Sequence, residues 1–337
     1  MSRVTIQDVA KAARVSATTV SFAFNQPGQL SVATRTRVLS TARRLGYAPH
    51  PSARSLSTKR HGSIGLLTPQ PLEVVFANPF VSELLQGIGA VCAQHDMTLL
   101  LVPPLNGSLE SAVGRAPVDG VISLGLNAGD PALETLARFG LPWILIDAEA
   151  PSGVATVNVD DFGGAALAAH HVLELGHRRI AVIGLGRTSP QRAQLGIGAR
   201  RLAGYRGAID AAGVPAPTVD PGGVTFAAGT QAFRKLWRAR RKPTAVLAMS
   251  DMAALGLMAA ARDAGVRIPE DLSVVGFDDL PMAAWAHPGL TTVRQPIAEK
   301  GRQAARLLID SLAGKAVHSP KPLPTELILR GSTGRHP

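Results

Sequence analysis

Ten of the first 60 residues are Lys or Arg: Arg3, Lys11, Arg14, Arg35, Arg37, Arg43, Arg44, Arg54, Lys59 and Arg60. They face one acid, Asp8. Cations crowded with so few carboxylates do electrostatic chemistry, and they dock on polyphosphate. Residues 61–337 hold 25 basic and 23 acidic residues, so nearly all of the chain's net +11 belongs to this small head.

The rest of the chain offers little reactive chemistry. Gly184-Leu185-Gly186 lacks the third glycine of a dinucleotide fingerprint, and Gly87-Ile88-Gly89 lies inside a helical pattern instead of after a strand. No GxxxxGK[ST] or GxSxG is present. His170, His171 and His177 are not at HExxH spacing, and the single Cys92 gives no zinc set. His177 follows Gly176 at a predicted helix end, where a capping role is expected. Asp160-Asp161 and Asp278-Asp279 are paired acids, but adjacent side chains point apart and make no ready acid/base couple. The expectation is therefore a binding module with no metal, no cofactor and no catalytic residues.

The elements that position the basic residues are legible. In Val4 to Asn25, VTIQDVAKAARVSATTVSFAFN, Thr5 can cap a helix with Asp8 three residues on. Ile6, Val9 and Ala10 form its apolar face. Ala13-Arg14-Val15 is a turn, and Ser16 caps a second helix. There Val20, Ala23 and Phe24 share one side, Thr18, Ser21, Phe22 and Asn25 the other, with Ala17 at the leading edge. A third helix starts near Ser31 and stops at Gly46. This is a helix-turn-helix pattern, whose second helix lies in the major groove of duplex DNA. Pro51 then opens a two-turn segment, Ala53 to Ser57, too short to be stable alone. Leu56 on it is either a minor-groove wedge or an incidental linker residue.

At 337 residues the chain should form two or three domains, and 46% apolar content supports a large core. Aromatics are only 4%, so that core must be Ala, Val, Leu and Ile. One cysteine fits a reducing cytosol, and Cys92 reads as a small core residue. No secretory signal and no 18-residue apolar run occur, so a cytoplasmic protein with no membrane partner is expected. From Ser63 onward short apolar runs alternate with Ala/Leu helical patterns. Candidate strands are Ile64–Leu67, Thr98–Val102, Gly120–Leu124, Trp143–Ile146, Ala155–Val159, Ile180–Ile183, Ala245–Met249 and Ser273–Gly276. This rhythm predicts parallel sheets with helices on both faces, too long for one core and therefore in two lobes. Ligands of such folds sit at the carboxyl ends of strands, where Ser250 and Asp251 lie.

These segments resemble the lactose-repressor (LacI/GalR) family of bacterial transcription regulators. The resemblance rests on the head motif above, VLSTARRLGYAPHPSARSL and SIGLLTP. It continues in order through NPF at 78–80, VDGVIS at 118–123, LELGHRRIAVIG at 173–184, RLAGYRGAIDAAG at 201–213, SVVGFDDLP at 273–281 and LTTVRQP at 290–296. It implies an N-terminal all-α helix-turn-helix DNA-binding domain over 1–49 and a hinge helix over 50–61. Over 62–337 it implies an α/β two-lobed periplasmic-binding-protein-like domain. The lobes would be about 62–158 with part of 292–320, and 159–291 with the last strand. The short segment Gly107 to Pro117 implies a trimmed helix in the first lobe.

Residue by residue, the resemblance assigns Thr5, Ser16, Thr19 and Asn25 to phosphate or framework contacts. It assigns Ala17, Thr18, Ser21 and Phe22 to base reading, with Arg54, Ser55 and Leu56 in the hinge. Phe22 stands where members often carry Arg or another polar residue, so it either meets thymine methyls or turns inward. Arg201, Asp278 and Phe80 match effector-binding positions, with Ser250 and Asp251 beside them; the alternative for Arg201 and Asp278 is an internal ion pair. Leu195, Ile197 and Val224 imply a cleft more apolar than a simple sugar site. The expected partners are a near-palindromic double-stranded operator, a small-molecule effector such as a sugar, and a second copy in a homodimer. The rival readings are a solute-binding transport protein on the same two-lobed fold and an enzyme with a Rossmann-like core.

Overall fold

The computed structural model describes residues 4–25, 27–48, 60–126, 129–149, 151–186 and 196–336. The chain divides into two compact units, Met1–Ser63 with Pro117–Asp119, and Ile64–Ala116 with Gly120–Pro337.

The first unit contains α1 (Ile6–Ala13), α2 (Ala17–Asn25) and α3 (Val32–Leu45), with a 3-10 turn at Pro27–Gln29. The Thr5 hydroxyl accepts from the Asp8 N–H at 3.4 Å, and the Asp8 carboxylate accepts from the Thr5 N–H at 2.8 Å. That reciprocal cap satisfies two orphan donors at the start of α1. Arg14 takes the left-handed conformation (φ 54°) that ends α1 and makes the turn tight. The Ser16 hydroxyl then accepts from the Thr19 N–H at 3.0 Å and starts α2. Ser31 caps α3, and Gly46 (φ 68°) ends it. Val9, Ala10, Ala13, Val20, Ala23, Val38 and Ala42 form the core of the unit. Phe24 packs on that core, edge-on to Tyr47 with 6.0 Å between ring centroids.

The second unit carries two sheets. The first lobe holds β1 (Ser63–Leu67), α4 (Leu72–Phe76), α5 (Pro79–Gln94), β2 (Thr98–Val102) and α6 (Leu109–Val113), then β3 (Gly120–Leu124), α7 (Pro131–Arg138), β4 (Trp143–Ile146) and β5 (Thr156–Val157). Its strand order is β2-β1-β3-β4-β5. The second lobe holds α8 (Asp161–Glu174), β6 (Ile180–Ile183), α9 (Gly196–Ala211), β7 (Thr218–Asp220), α10 (Phe226–Leu236) and β8 (Ala245–Ala248). It continues with α11 (Asp251–Asp263), β9 (Ser273–Asp278), α12 (Pro281–Trp285) and β10 (Thr291–Arg294). The chain then returns to the first lobe as α13 (Ile297–Leu312) and ends in the second as β11 (Glu326–Ile328). The second order is β11-β10-β9-β8-β6-β7, parallel throughout except at β11. Strands such as WILI, IAVI and AVLA are apolar along their length because both sheet faces are covered by helices.

Three details differ from the sequence expectation. Strands β7, β10 and β11 have no counterpart in the run of apolar candidates, because each is three or four residues long and partly polar. The fifth candidate shortens to two residues. Residues 291–294 join the second sheet, so the crossover comes at Gln295 and only the helix that follows returns to the first lobe. The short segment before Pro117 does carry a trimmed helix, the five-residue α6.

Glycines let three helix pairs meet backbone to backbone. A Cβ on Gly87 of α5 would fall 1.9 Å from the Ala298 carbonyl oxygen, and one on Gly301 of α13 would fall 2.4 Å from that of Leu84. Gly229 and Gly256 make the same reciprocal approach between α10 and α11, and Gly204 of α9 meets α8 at Phe162. Gly87-Ile88-Gly89 is thus a helix-packing element, as its position inside a helix suggested.

Candidate functional site: the second helix of the head and an interlobe cleft

On α2, Val20 and Ala23 are buried while Ala17 and Thr18 are exposed at the leading end. Ser21 and Phe22 are half-buried, and Phe22 lies outside the apolar cluster that includes Phe24. Its ring is therefore left on the side of Thr18 and Ser21. Ser16 and Thr19 share a 2.9 Å hydroxyl–hydroxyl bond, and the Asn25 amide donates to Ser21 Oγ at 3.3 Å. Thr5 is engaged in the α1 cap. The hinge positions Arg54, Ser55 and Leu56 lie outside the described residues, as does Leu195.

The second unit holds a cavity of about 950 Å³ between its sheets, at the carboxyl ends of the strands. Phe80, Arg201, Ser250 and Asp278 all line it, together with Ile197 and Val224. Asp251 does not. Its carboxylate accepts from the Thr292 hydroxyl at 2.5 Å and from the Leu280 N–H at 2.8 Å, so it ties strands together behind the cavity wall.

Arg201 and Asp278 belong to a buried polar chain that joins the lobes. Arg201 Nε donates to Asp161 at 2.9 Å, its Nη1 donates to the Met249 carbonyl at 2.6 Å, and Asp278 Oδ1 lies 3.9 Å from Nη1. The guanidinium also stacks 3.5 Å from the centroid of Phe277. Burial opposes the charge on Arg201, but Asp161 and then Asp278 overcome that and raise its pKa. Asp278 accepts from the Gln295 amide at 2.6 Å, and Gln295 Oε1 accepts from Lys300 Nζ at 2.6 Å. Lys300 is fully buried and donates to Asp147 at 2.7 Å, with the Phe80 ring 5.3 Å away. Burial raises the pKa of Asp278 despite Arg201, and raises that of Asp251 further, where the neighbouring Asp278 charge adds to it. Asp147 (φ 56°) and Asp278 (φ 131°) both have left-handed backbone at strand ends, where a non-glycine residue carries strain. Each lines the cavity.

The internal ion pair expected as the alternative for Arg201 and Asp278 is therefore present, in a structure where both residues also line the cavity. Asp147, Asp161, Gln295 and Lys300 complete this chain, and none of them is among the site residues that the sequence predicts. A signal for Lys300 was available: in α13 it falls on the buried stripe Ile297, Gly301, Ala304, Ala305 and Leu308, and a lysine there demands a buried partner. Asp160 and Asp161 do point apart. Asp160 caps α8 through the Gly163 N–H, and Asp161 turns inward to Arg200 and Arg201. His177 does not cap with its ring. The imidazole is buried between Thr244, Ser273 and the Gly334 carbonyl, pinning the C-terminal segment. Ser250 Oγ is buried on the cavity wall and has no hydrogen-bond partner among the described residues. Among the described residues no group of three His, Cys, Asp or Glu could hold a metal ion, and no helix is long and apolar enough to cross a membrane.

Residues 5–50 match the family model for bacterial regulatory proteins of the lacI family, and residues 169–333 match a periplasmic binding protein-like domain. The HTH-type transcriptional regulator CelR of Thermobifida fusca is 34% identical over 98% of both chains. A solved structure of a CelR–cellobiose complex aligns with a TM-score of 0.72 at 32% identity, covering 98% of this chain and all of that one. A lac repressor dimer bound to operator and the anti-inducer ONPF aligns at 0.84 and 27%, covering 99% and 100%. The chain belongs to the lacI family of bacterial regulatory proteins. It is a DNA-binding transcription regulator with a helix-turn-helix head and a two-lobed α/β body.

Proposed function

We propose that the chain is a repressor that binds a near-palindromic operator as a homodimer in the cytoplasm. Its operator affinity would be set by a small hydroxyl-bearing effector, such as a sugar, held between the lobes. The domain limits are those read from the sequence: 1–49 for DNA reading, 50–61 for a hinge, and 62–337 for effector binding and dimerisation. Ala17, Thr18, Ser21 and Phe22 read bases. Thr5, Ser16, Thr19 and Asn25 hold phosphates or the framework. Arg54, Ser55 and Leu56 act at the operator centre. Phe80, Arg201, Ser250 and Asp278 contact the effector, and Asp251 is left out of that set. The carrying observation is a cavity that crosses the lobes and is lined by one polar chain touching both sheets. A ligand seated there changes the relation of the lobes and so links its own binding to that of DNA.

The test is a full-length protein titrated with an operator selected from a random-sequence pool, in the presence and absence of cellobiose and other sugars. A ligand that raises the melting temperature and shifts operator affinity supports the reading; operator affinity indifferent to every ligand that stabilises the body refutes it. DNA affinity should also fall steeply with salt, with about −0.9 in log–log slope for each phosphate neutralised. A flat salt response would remove the electrostatic argument.

Ser250→Ala gives a sharper check. The substitution removes a buried hydroxyl that lacks a partner among the described residues, so the ligand-free protein should melt at the same temperature or higher. A hydrogen bond to the effector is worth about 0.5–1.5 kcal/mol, so affinity for the effector should drop roughly twofold to tenfold. Unchanged affinity, read by calorimetric titration, excludes Ser250 from the contact set.

A further inference from the structure

The body is near neutral in total, but its cations are unevenly placed. Residues 234–242, RKLWRARRK, carry six Lys or Arg and no acid. Chain topology brings further cations beside them. Strands β6 and β8 are parallel neighbours in register from Ile180 and Ala245, so the residues just before each strand lie side by side. The Thr244 N–H donates to the Arg179 carbonyl at 2.8 Å, and Arg179 Nε donates to the Lys242 carbonyl at 3.1 Å. The C-terminal segment joins the same end: the His336 N–H donates to the Leu175 carbonyl at 2.8 Å, and its ring stacks on His177. Arg178, Arg179, Arg238, Arg240, Arg241 and Arg335 are thereby exposed at the amino-terminal ends of the second sheet. The effector cavity lies at the carboxyl ends, a strand length of about 13 Å away.

These guanidinium groups are not consumed by internal pairing. Among the described residues no carboxylate pairs with Arg238, Arg240 or Arg241, and Arg178 meets only main-chain carbonyls. The acids at this end are few. Asp271 is clamped by Arg267 at 2.8 Å and Asp263 lies 3.9 Å from Arg262, which leaves Asp210, Glu174 and Glu270 as exposed acids against the larger number of cations. Trp237 is half-buried beneath the face, with Lys242 Nζ 4.8 Å from its ring. Unpaired arginine forks gathered from three separate parts of the chain suit phosphate, which they can grip through two parallel hydrogen bonds. The helix-turn-helix already keeps this protein on DNA, so duplex DNA is the phosphate polymer that the face meets at highest local concentration.

We propose that the basic face at the amino-terminal ends of the second sheet is a second contact for duplex DNA, distinct from the helix-turn-helix. A protein docked through its head can then hold another duplex segment through its body.

The test uses the full chain with its head weakened by Thr18→Asp and Ser21→Asp, and a random-sequence 40-bp duplex at low salt. Residual binding should remain and should fall at least tenfold when Arg238→Glu, Arg240→Glu and Arg241→Glu are added. The slope of log affinity against log salt should lose about 0.9 for each phosphate contact removed. The lysine triple at the same positions should retain most of the binding, and all variants should melt together, which separates charge from folding. No residual binding in the head-weakened chain overturns the proposal, and so does residual binding that the glutamate triple leaves intact. Tighter binding of poly-glutamate than of the duplex also overturns it, because the face would then belong to an acidic protein partner.

Discussion

Asp147→Asn is expected to cost about 3–5 kcal/mol of folding stability, because it strands the Lys300 ammonium without its counter-ion in a fully buried site. The remaining partner at hydrogen-bond distance, Gln295 Oε1, is neutral and cannot replace a carboxylate. The loss should be visible as a lower urea midpoint with an unchanged slope. Adding Lys300→Met to Asp147→Asn should recover much of it, since the double variant no longer buries an uncompensated charge. A double-mutant cycle supplies the coupling energy. A single-variant loss under about 1 kcal/mol would mean that water reaches Lys300 and solvates its charge.

The second large effect is steric. Gly87→Ala would put a methyl 1.9 Å from the Ala298 carbonyl oxygen, where only main chain stands and no side chain can rotate away. The helices must separate, which opens the first-lobe core around Leu84, Ile88, Ala304 and Leu308. Overpacking of this kind costs about 3 kcal/mol or somewhat more. Gly89→Ala is the matched control: its Cβ would meet nothing within 4 Å. Alanine also has the higher helix propensity, so that variant should be neutral or slightly stabilised. Equal melting temperatures for the two variants would refute the close crossing.

Local signals made the head readable. The Thr5/Asp8 box, the Ser16 and Ser31 caps and the Gly46 stop each depend on residues within four positions of one another. Longer apolar strands such as Thr98–Val102 were equally plain. Strands β7, β10 and β11 escaped because pairing, and not their own composition, makes them strands. The cleft divides the same way. Ser250 and Asp278 were found by their place after strands or by resemblance. Neither strand-end position nor adjacency could tell that Asp251 turns away to Thr292 and Leu280 while Asp278 faces the cavity. Lys300 and Asp147 are separated by 153 residues and become partners only after both lobes have formed. Spacing along the chain cannot encode such a pair, although the lysine on an apolar stripe announces that some partner must exist.

The backbone-to-backbone helix crossings bear on how the body can move. Domain rearrangements proceed either by hinges, in which a few connecting residues change dihedral angle, or by shear, in which packed helices slide past one another through side-chain adjustment. Where Gly87 meets Ala298, Gly229 meets Ala253 and Gly256 meets Phe226, there are no side chains between the helices to adjust. Sliding would drive these carbonyl oxygens off the glycines and into the neighbouring side chains, so shear at these crossings is opposed. Any change in the relation of the lobes is then concentrated in the three stretches of chain that pass between them, at 158–160, 295–296 and 323–325. The first and third of these are stitched together by the Asp160 N–H on the Leu323 carbonyl at 2.9 Å and the Leu323 N–H on that of Asn158 at 2.9 Å. Such a body is a two-jawed clamp on a narrow pivot, and one of its three pivot strands carries Gln295, the residue that bridges Lys300 to Asp278.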